Sequence, residues 1–261
     1  MRDVKEDIQA PSGEFGTRLA SRYQELMALR EEARTRYRVG TSNGLGVPPA
    51  RLMWPRVSFD RTRSALKVER PPSVYANVGA VIDAAAADAV TILEIGPGRG
   101  VLCSTLRHRF GPHIGRYYGI EVDQSVVGSY ARIDEPSDAA APIDLVIAGE
   151  VAEHMTADAF LALLESLHGC RSASSALVVS VPNPLAPGGI ARDVTHVQHY
   201  PWYDLYALLR LEYEVVDVVR TYYVWNVGRL LRLPMRMILC SFLELDWAEG
   251  ILCTARRPRE P

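Results

Sequence analysis

The sequence predicts an α/β fold: a doubly wound, mostly parallel sheet covered by helices on both faces, with a helical and irregular N-terminal extension. Three observations predict it. Short apolar runs (TILEI, IDLVIA, ALVVSV) alternate with helical-period stretches such as ADAFLALLESL, the pattern of strands buried on both sides. One run, Thr91–Ile95, feeds Gly96-Pro97-Gly98-Arg99-Gly100 and then an apolar helical face. In that strand, turn and helix order, backbone can approach a ligand closely and a helix N-terminus points at it. Another run, Arg116–Glu121, ends in an acid 21 residues after Gly100, the place at which such folds set a ligand-gripping carboxylate.

Taken in order, Met1–Gly16 is polar and expected to fray. Thr17–Tyr37 places Leu19, Tyr23, Leu26 and Ala33 near one stripe, with Glu31/Arg35 and Glu32/Arg36 as i,i+4 pairs; this predicts a helix. Val39–Val68 holds SNGLGVPP and RLMWPRVSFDRTR and shows no period, so it reads as an irregular lid or arm. Its Arg51, Arg56, Arg61 and Arg63 suit either a solvated face or contact with an acidic or sugar substrate. Pro71-Pro72-Ser73 starts a helix through about Ala87. Strands are expected at Thr91–Ile95, Arg116–Glu121, Ile143–Ala148, Ala176–Val181, Glu214–Val219 and Ile251–Ala255, and helices at Thr156–Leu167 and Pro201–Leu211. A helix is read over Ser125–Arg132, followed by IDEPSDAAAP with no convincing strand. The domain division is residues 1–70 for the arm and 71–261 for the ligand-binding domain.

Bulk properties exclude some functions. The 261 residues carry 29 Lys and Arg against 31 Asp and Glu, a formal net charge of −2, which argues against nucleic acid as a partner. Cys103, Cys170, Cys240 and Cys253 lack CxxC spacing; reduced thiols in a cytoplasmic protein fit them. The charged start MRDVKEDIQAPSGEF has no apolar signal core. Val224–Leu245 is apolar, but Arg229, Arg232, Pro234 and Arg236 interrupt it, so no transmembrane segment is expected. It could cap a pocket, pair two copies as a homodimer, or lie on a membrane surface, in that order.

The glycine turn is not a dinucleotide fingerprint, because Val101 stands where GxGxxG needs its third glycine. Glu94, two residues before Gly96, would repel a pyrophosphate and suits a cationic amino acid tail. ExGxGxG (Glu94, Gly96, Gly98, Gly100) resembles motif I of the class I methyltransferases that use S-adenosylmethionine, and their Rossmann-like fold is then implied. GIEVD resembles their motif II, with Glu121 at the acid that holds the ribose diol and Asp123 at a helix N-cap. DLVIAGEVAEHM, Asp144–Met155, resembles the motif IV region of small-molecule methyltransferases, in which a small residue precedes E-x-x-E-H. The resemblance places Gly149 beside the sulfonium and His154 at the mouth of the next helix, where it is the first choice of proton acceptor. Between Glu121 and Asp144 only 22 residues remain, fewer than the family pattern uses, so Asp134, Asp138 or backbone alone is left to hold adenine.

Asp193, His196 and His199 fall within seven residues. They could form a two-histidine, one-carboxylate metal site, line a substrate pocket, supply a base, or belong to a structural loop; no metal is assigned on this spacing. The resemblance implies methyl transfer to a small molecule, with sugar or natural-product hydroxyls first, and NGLGVPP resembles pieces beside methyltransferase domains in glycan-modifying proteins. A hydroxyl acceptor needs a base, in the order His154, then His196 or His199. A small amine would need only desolvation and positioning. Two rival readings are a nonenzymatic S-adenosylmethionine-binding scaffold and a nicotinamide-dependent oxidoreductase, the latter disfavoured by Val101.

Overall fold

The computed structural model describes residues 17–36, 72–84, 89–186, 195–221 and 250–259. The expected arm over 39–68, Asp193 and the apolar segment 224–245 lie outside the described residues. The elements are α1 (Thr17–Ser21), α2 (Tyr23–Arg36), α3 (Pro72–Ala84), β1 (Val90–Ile95), α4 (Val101–Phe110), β2 (Ile114–Ile120), β3 (Ala131–Arg132), β4 (Ile143–Gly149), α5 (Ala157–Ser166), β5 (Arg171–Pro182), α6 (Trp202–Glu212), β6 (Tyr213–Thr221) and β7 (Gly250–Pro258).

The strands form one sheet in the order β3-β2-β1-β4-β5-β7-β6. All neighbours are parallel from β3 to β5, whereas β7 runs antiparallel to both β5 and β6. The order reverses between β1 and β4, and a sheet wound outward both ways leaves a crevice at that switch point, beyond the carboxyl ends of its strands. Gly96, Gly98, Gly100, Glu121, His154 and His196 follow the carboxyl ends of strands β1, β2, β4 and β5, Gly149 is the last residue of β4, and Glu94 lies within β1.

The two-residue period of a strand sends neighbours to opposite faces. Ile92, Leu145, Ile147 and Val178 meet α3 and α4 through Val78, Ile82, Leu102 and Leu106. Leu93, Val146, Leu177 and Val179 meet α2, α5 and α6 on the other face. Both faces are dry, so the central strands read as unbroken apolar runs; truncating Ile92 or Leu93 to Ala would cost about 2–5 kcal/mol. Thr156 caps α5 by accepting from the Ala159 N–H at 3.2 Å, which sets the helix start the sequence marks.

The helical part of the N-terminal extension rests on α6. Leu29 and Ala33 are buried in the same core as Leu205 and Leu208, Arg30 pairs with Asp204 at 2.6 Å, and the Tyr206 hydroxyl donates to Glu32 at 2.8 Å. Glu212, only 3% exposed, lies between Arg22 and His168, each 2.5 Å away.

One expectation is overturned. Ser125–Arg132 is not a helix and no strand is missing: residues 125–130 are irregular and Ala131–Arg132 forms β3. β-branched Val126 and Val127 followed by Gly128 and Ser129 propagate a helix poorly. Asp123 instead holds a local turn, accepting from the Ser125 N–H at 2.9 Å and hydroxyl at 2.7 Å. Tyr118 and Gly119 then pair with Ala131 and Arg132, and the Ile133 N–H donates to the Gly119 carbonyl at 3.1 Å.

Candidate active site

The glycine turn closes directly on β1. Gly96, Gly98 and Gly100 have φ of 61°, 53° and 74°, the left-handed region that L side chains rarely enter. Space is the second constraint: a Cβ on Gly100 would lie 2.8 Å from Ser129 Oγ and 2.9 Å from its backbone nitrogen. The turn is tied at its base, where the Gly96 N–H donates to the Ile120 carbonyl at 2.8 Å, and at its rim, where the Tyr130 hydroxyl donates to the Gly98 carbonyl at 3.0 Å. Burial and the neighbouring Glu121 push the Tyr130 phenol up, keeping it a donor.

Glu121 and the turn are brought together. Its Oε2 accepts from the Gly98 N–H at 2.9 Å and its Oε1 from the Asp123 N–H at 3.1 Å. Two carboxylate oxygens have about four lone-pair directions, so capacity remains toward a ligand. Ser125's hydroxyl and N–H hold the Asp123 carboxyl below its usual range. Arg132 fastens the same loop by donating to the carbonyls of Glu121, Val126 and Asp123.

Glu94 sits elsewhere than at the surface of the crevice. It is fully buried on the α4 side of the sheet and accepts a short bond, 2.6 Å, from the Tyr117 hydroxyl. Tyr117 is a residue the sequence reading missed; an aromatic in a strand carries no signal of its own until register pairs Ile92 with it. Asp138 is occupied too, accepting from the N–H groups of Glu135 and Asp134. Asp134 follows β3 with its side chain exposed.

β4 ends in buried Gly149, and Glu150 turns the chain with a φ of 55°, its carboxylate accepting from Ser180 at 2.9 Å. A 3-10 turn, Ala152–His154, follows. This turn packs against the glycine loop, since a Cβ on Gly96 would meet Val151 at 2.9 Å. The loop before α6 is strapped to it: the Val197 and Gln198 N–H groups both donate to the Glu153 carbonyl, at 2.8 and 3.1 Å. His154 Nδ1 lies 3.2 Å from the Thr195 carbonyl and 3.1 Å from its hydroxyl. In the tautomer that carries its proton on Nδ1, the carbonyl accepts it and Nε2 keeps the lone pair.

His154 and His196 stand edge to face with ring centroids 5.0 Å apart. Buried Glu153, exposed His154 and half-buried His196 offer ligand atoms within 4.8 Å of one another. His199 is outside that trio but shares with Glu153, His196 and Tyr200 the lining of a small cavity under Pro182 and Pro184. Burial and the Glu153 carboxylate push the Tyr200 phenol well above its usual range. Glu153 was missed because E-x-x-E-H draws attention to its histidine, while burial of the second acid appears only in three dimensions.

No family model and no curated protein matches the sequence. The fold is similar to a SAM-dependent methyltransferase from Archaeoglobus fulgidus, with a TM-score of 0.53 and 17% identity over 70% of this chain and 93% of that one. It is also similar to the plantazolicin methyltransferase BpumL in complex with a pentazolic desmethylPZN analog and SAH, with a TM-score of 0.53 and 13% identity over 92% of this chain and 99% of that one. The related BamL, in complex with a triazolic analog and SAH, gives 0.52 and 13% over the same shares. Topology and these likenesses together establish that the chain has the class I methyltransferase fold.

Proposed function

We propose that the chain is an S-adenosylmethionine-dependent methyltransferase that methylates a hydroxyl group of a small molecule or sugar. The observation that carries this reading is the convergence of three loops at the switch point. Glu121 binds the Gly98 N–H, and Gly96 lies against the turn that presents His154.

The residues fit the donor. Left-handed glycines leave bare backbone for its amino acid portion, and Glu121 retains acceptor capacity for a vicinal diol. Glu94, completely buried and held by Tyr117, serves by supporting the glycine turn from below. Asp134 is the acid available to the adenine amino group, now that Asp138 caps its own turn. Gly149 leaves room where the methyl group would pass. S-adenosylmethionine, when bound, supplies an electrophilic methyl carbon on a sulfonium. The chain's own contribution is alignment, which can replace much of the entropic cost of a two-body reaction, and a proton acceptor for the hydroxyl. His154 is first for that role, since in the tautomer whose Nδ1–H is held by Thr195 its Nε2 is left basic; His196 and then His199 follow.

The test has two parts. Calorimetric titration with S-adenosylmethionine should show binding that weakens at least tenfold in Glu121→Ala. Incubation with labelled donor and a panel of glycosides, phenols and amines should give one added methyl on a hydroxyl-bearing member, read by mass spectrometry. Donor binding without transfer to any member would favour the scaffold reading; preference for a nicotinamide dinucleotide over the sulfonium donor would overturn both.

A further inference from the structure

We propose that Glu153, His154 and His196 form a binding site for one divalent first-row transition-metal cation, which would take the acceptor oxygen in an open position. The sequence spacing left Asp193, His196 and His199 as one alternative among four, with no metal assigned, and Asp193 lies outside the described residues. The fold brings a different trio together, with ligand atoms from all three within 4.8 Å of one another. Ligands held about 2.0–2.2 Å from a cation lie up to about 4.4 Å apart, so small side-chain rotations close the site.

Three features argue for a built site. Glu153 is 3% exposed, so an inward-facing carboxylate stands beside the two imidazoles. The loop bearing His196 is fixed relative to Glu153 by two main-chain bonds to one carbonyl, those from Val197 and Gln198. His154 Nδ1 lies 3.2 Å from the Thr195 carbonyl, placed for the outer hydrogen bond by which metal-binding imidazoles are oriented. One carboxylate oxygen and two imidazole nitrogens, with no thiolate, suit Mn²⁺, Fe²⁺, Co²⁺ or Zn²⁺ better than the oxygen-only cations Ca²⁺ and Mg²⁺.

The inference deepens the proposed function and changes the part played by two histidines. A hydroxyl bound to the cation becomes more acidic and releases its proton to solvent, so the oxygen is nucleophilic without accepting help from His154 as a base. This role rests on the methyltransferase reading; cation binding itself does not.

The experiment titrates chelator-treated, full-length protein with Mn²⁺, following loss of the free-ion paramagnetic resonance signal, and with Zn²⁺ by competition against a coloured chelator. One ion per chain is expected, weakened at least tenfold in Glu153→Gln and in His196→Ala, and unchanged in His108→Ala, an exposed histidine on α4. Should Glu153→Gln fail to fold, His154→Ala, whose ring is exposed, reads the same loss. No ion bound by the unaltered protein at millimolar concentration, or equal binding by the Glu153 and His196 variants, overturns the proposal. S-adenosylmethionine titration of the same samples separates the two ideas: donor binding without metal binding sinks only the metal site, and the reverse sinks only the methyltransferase.

Discussion

Tyr117→Phe removes a single oxygen, yet it should be among the more damaging conservative changes in the chain. Its hydroxyl donates to Glu94 at 2.6 Å, a length typical of a bond to a charged acceptor. Tyr117 is 1% and Glu94 0% exposed, so water cannot enter to replace the lost donor without opening the sheet. A hydrogen bond to a charged group contributes about 1.5–3 kcal/mol, and the phenyl ring of the variant still fills its place beneath α4. For a chain of this size that loss should lower the melting temperature by roughly 5–10 °C. The assay is urea unfolding of the parent, Tyr117→Phe, Glu94→Gln and the double variant, as a cycle. A coupling energy of at least about 1 kcal/mol is expected, since the two side chains touch. Donor affinity should fall along with stability, because the acid lies under the turn that closes on Gly96. Additive effects, or a Tyr117→Phe loss below about 0.5 kcal/mol, would refute the view that Glu94 is a buried anion held by this hydroxyl.

Other consequences are simpler. Gly100→Ala must place a Cβ 2.8 Å from Ser129 Oγ at a φ of 74°; it should cost about 1–3 kcal/mol and abolish measurable donor binding by calorimetry, while circular dichroism stays close to that of the parent. Glu212→Ala leaves both Arg22 and His168 without their 2.5 Å partner; a loss of about 3 kcal/mol is expected by chemical denaturation, together with faster proteolysis near residues 17–36 as α1 and α2 loosen from α6. Cys103 and Cys253 are both 0% exposed and burial pushes both thiols up, so a thiol-disulfide reagent at neutral pH should modify them only as the protein unfolds.

Much of the fold was written locally. Strands such as Ile143–Gly149 and Arg171–Pro182 are apolar because both faces are covered, and that burial leaves an unmistakable run of Ile, Leu and Val. Positive-φ glycines at 96, 98 and 100 were equally legible, since only a turn that L residues avoid requires them so closely spaced. β3 was not legible: its two residues, Ala131 and Arg132, form a strand through pairing with Tyr118 and Gly119, and no propensity in ARIDEP announces a contact made across the sheet. Local reading preferred a helix there because Asp123 looks like a cap, which it is, but for a turn that goes no further than Val126.

The histidine cluster shows the same division between near and distant information. His196 and His199 are close in sequence and invite a shared role, yet the chain spends the residues between them on a strap, with Val197 and Gln198 bonding the Glu153 carbonyl. That strap turns His196 toward His154, 42 residues earlier, and leaves His199 exposed at the edge. Spacing alone offered Asp193 as the carboxylate beside these histidines; the fold brings Glu153 from the turn after β4 to His154 and His196. The proposed chemistry therefore lies at the junction of two loops after neighbouring parallel strands, β4 and β5. Any change that moves one loop against the other, even without touching a histidine, should alter what this crevice can bind.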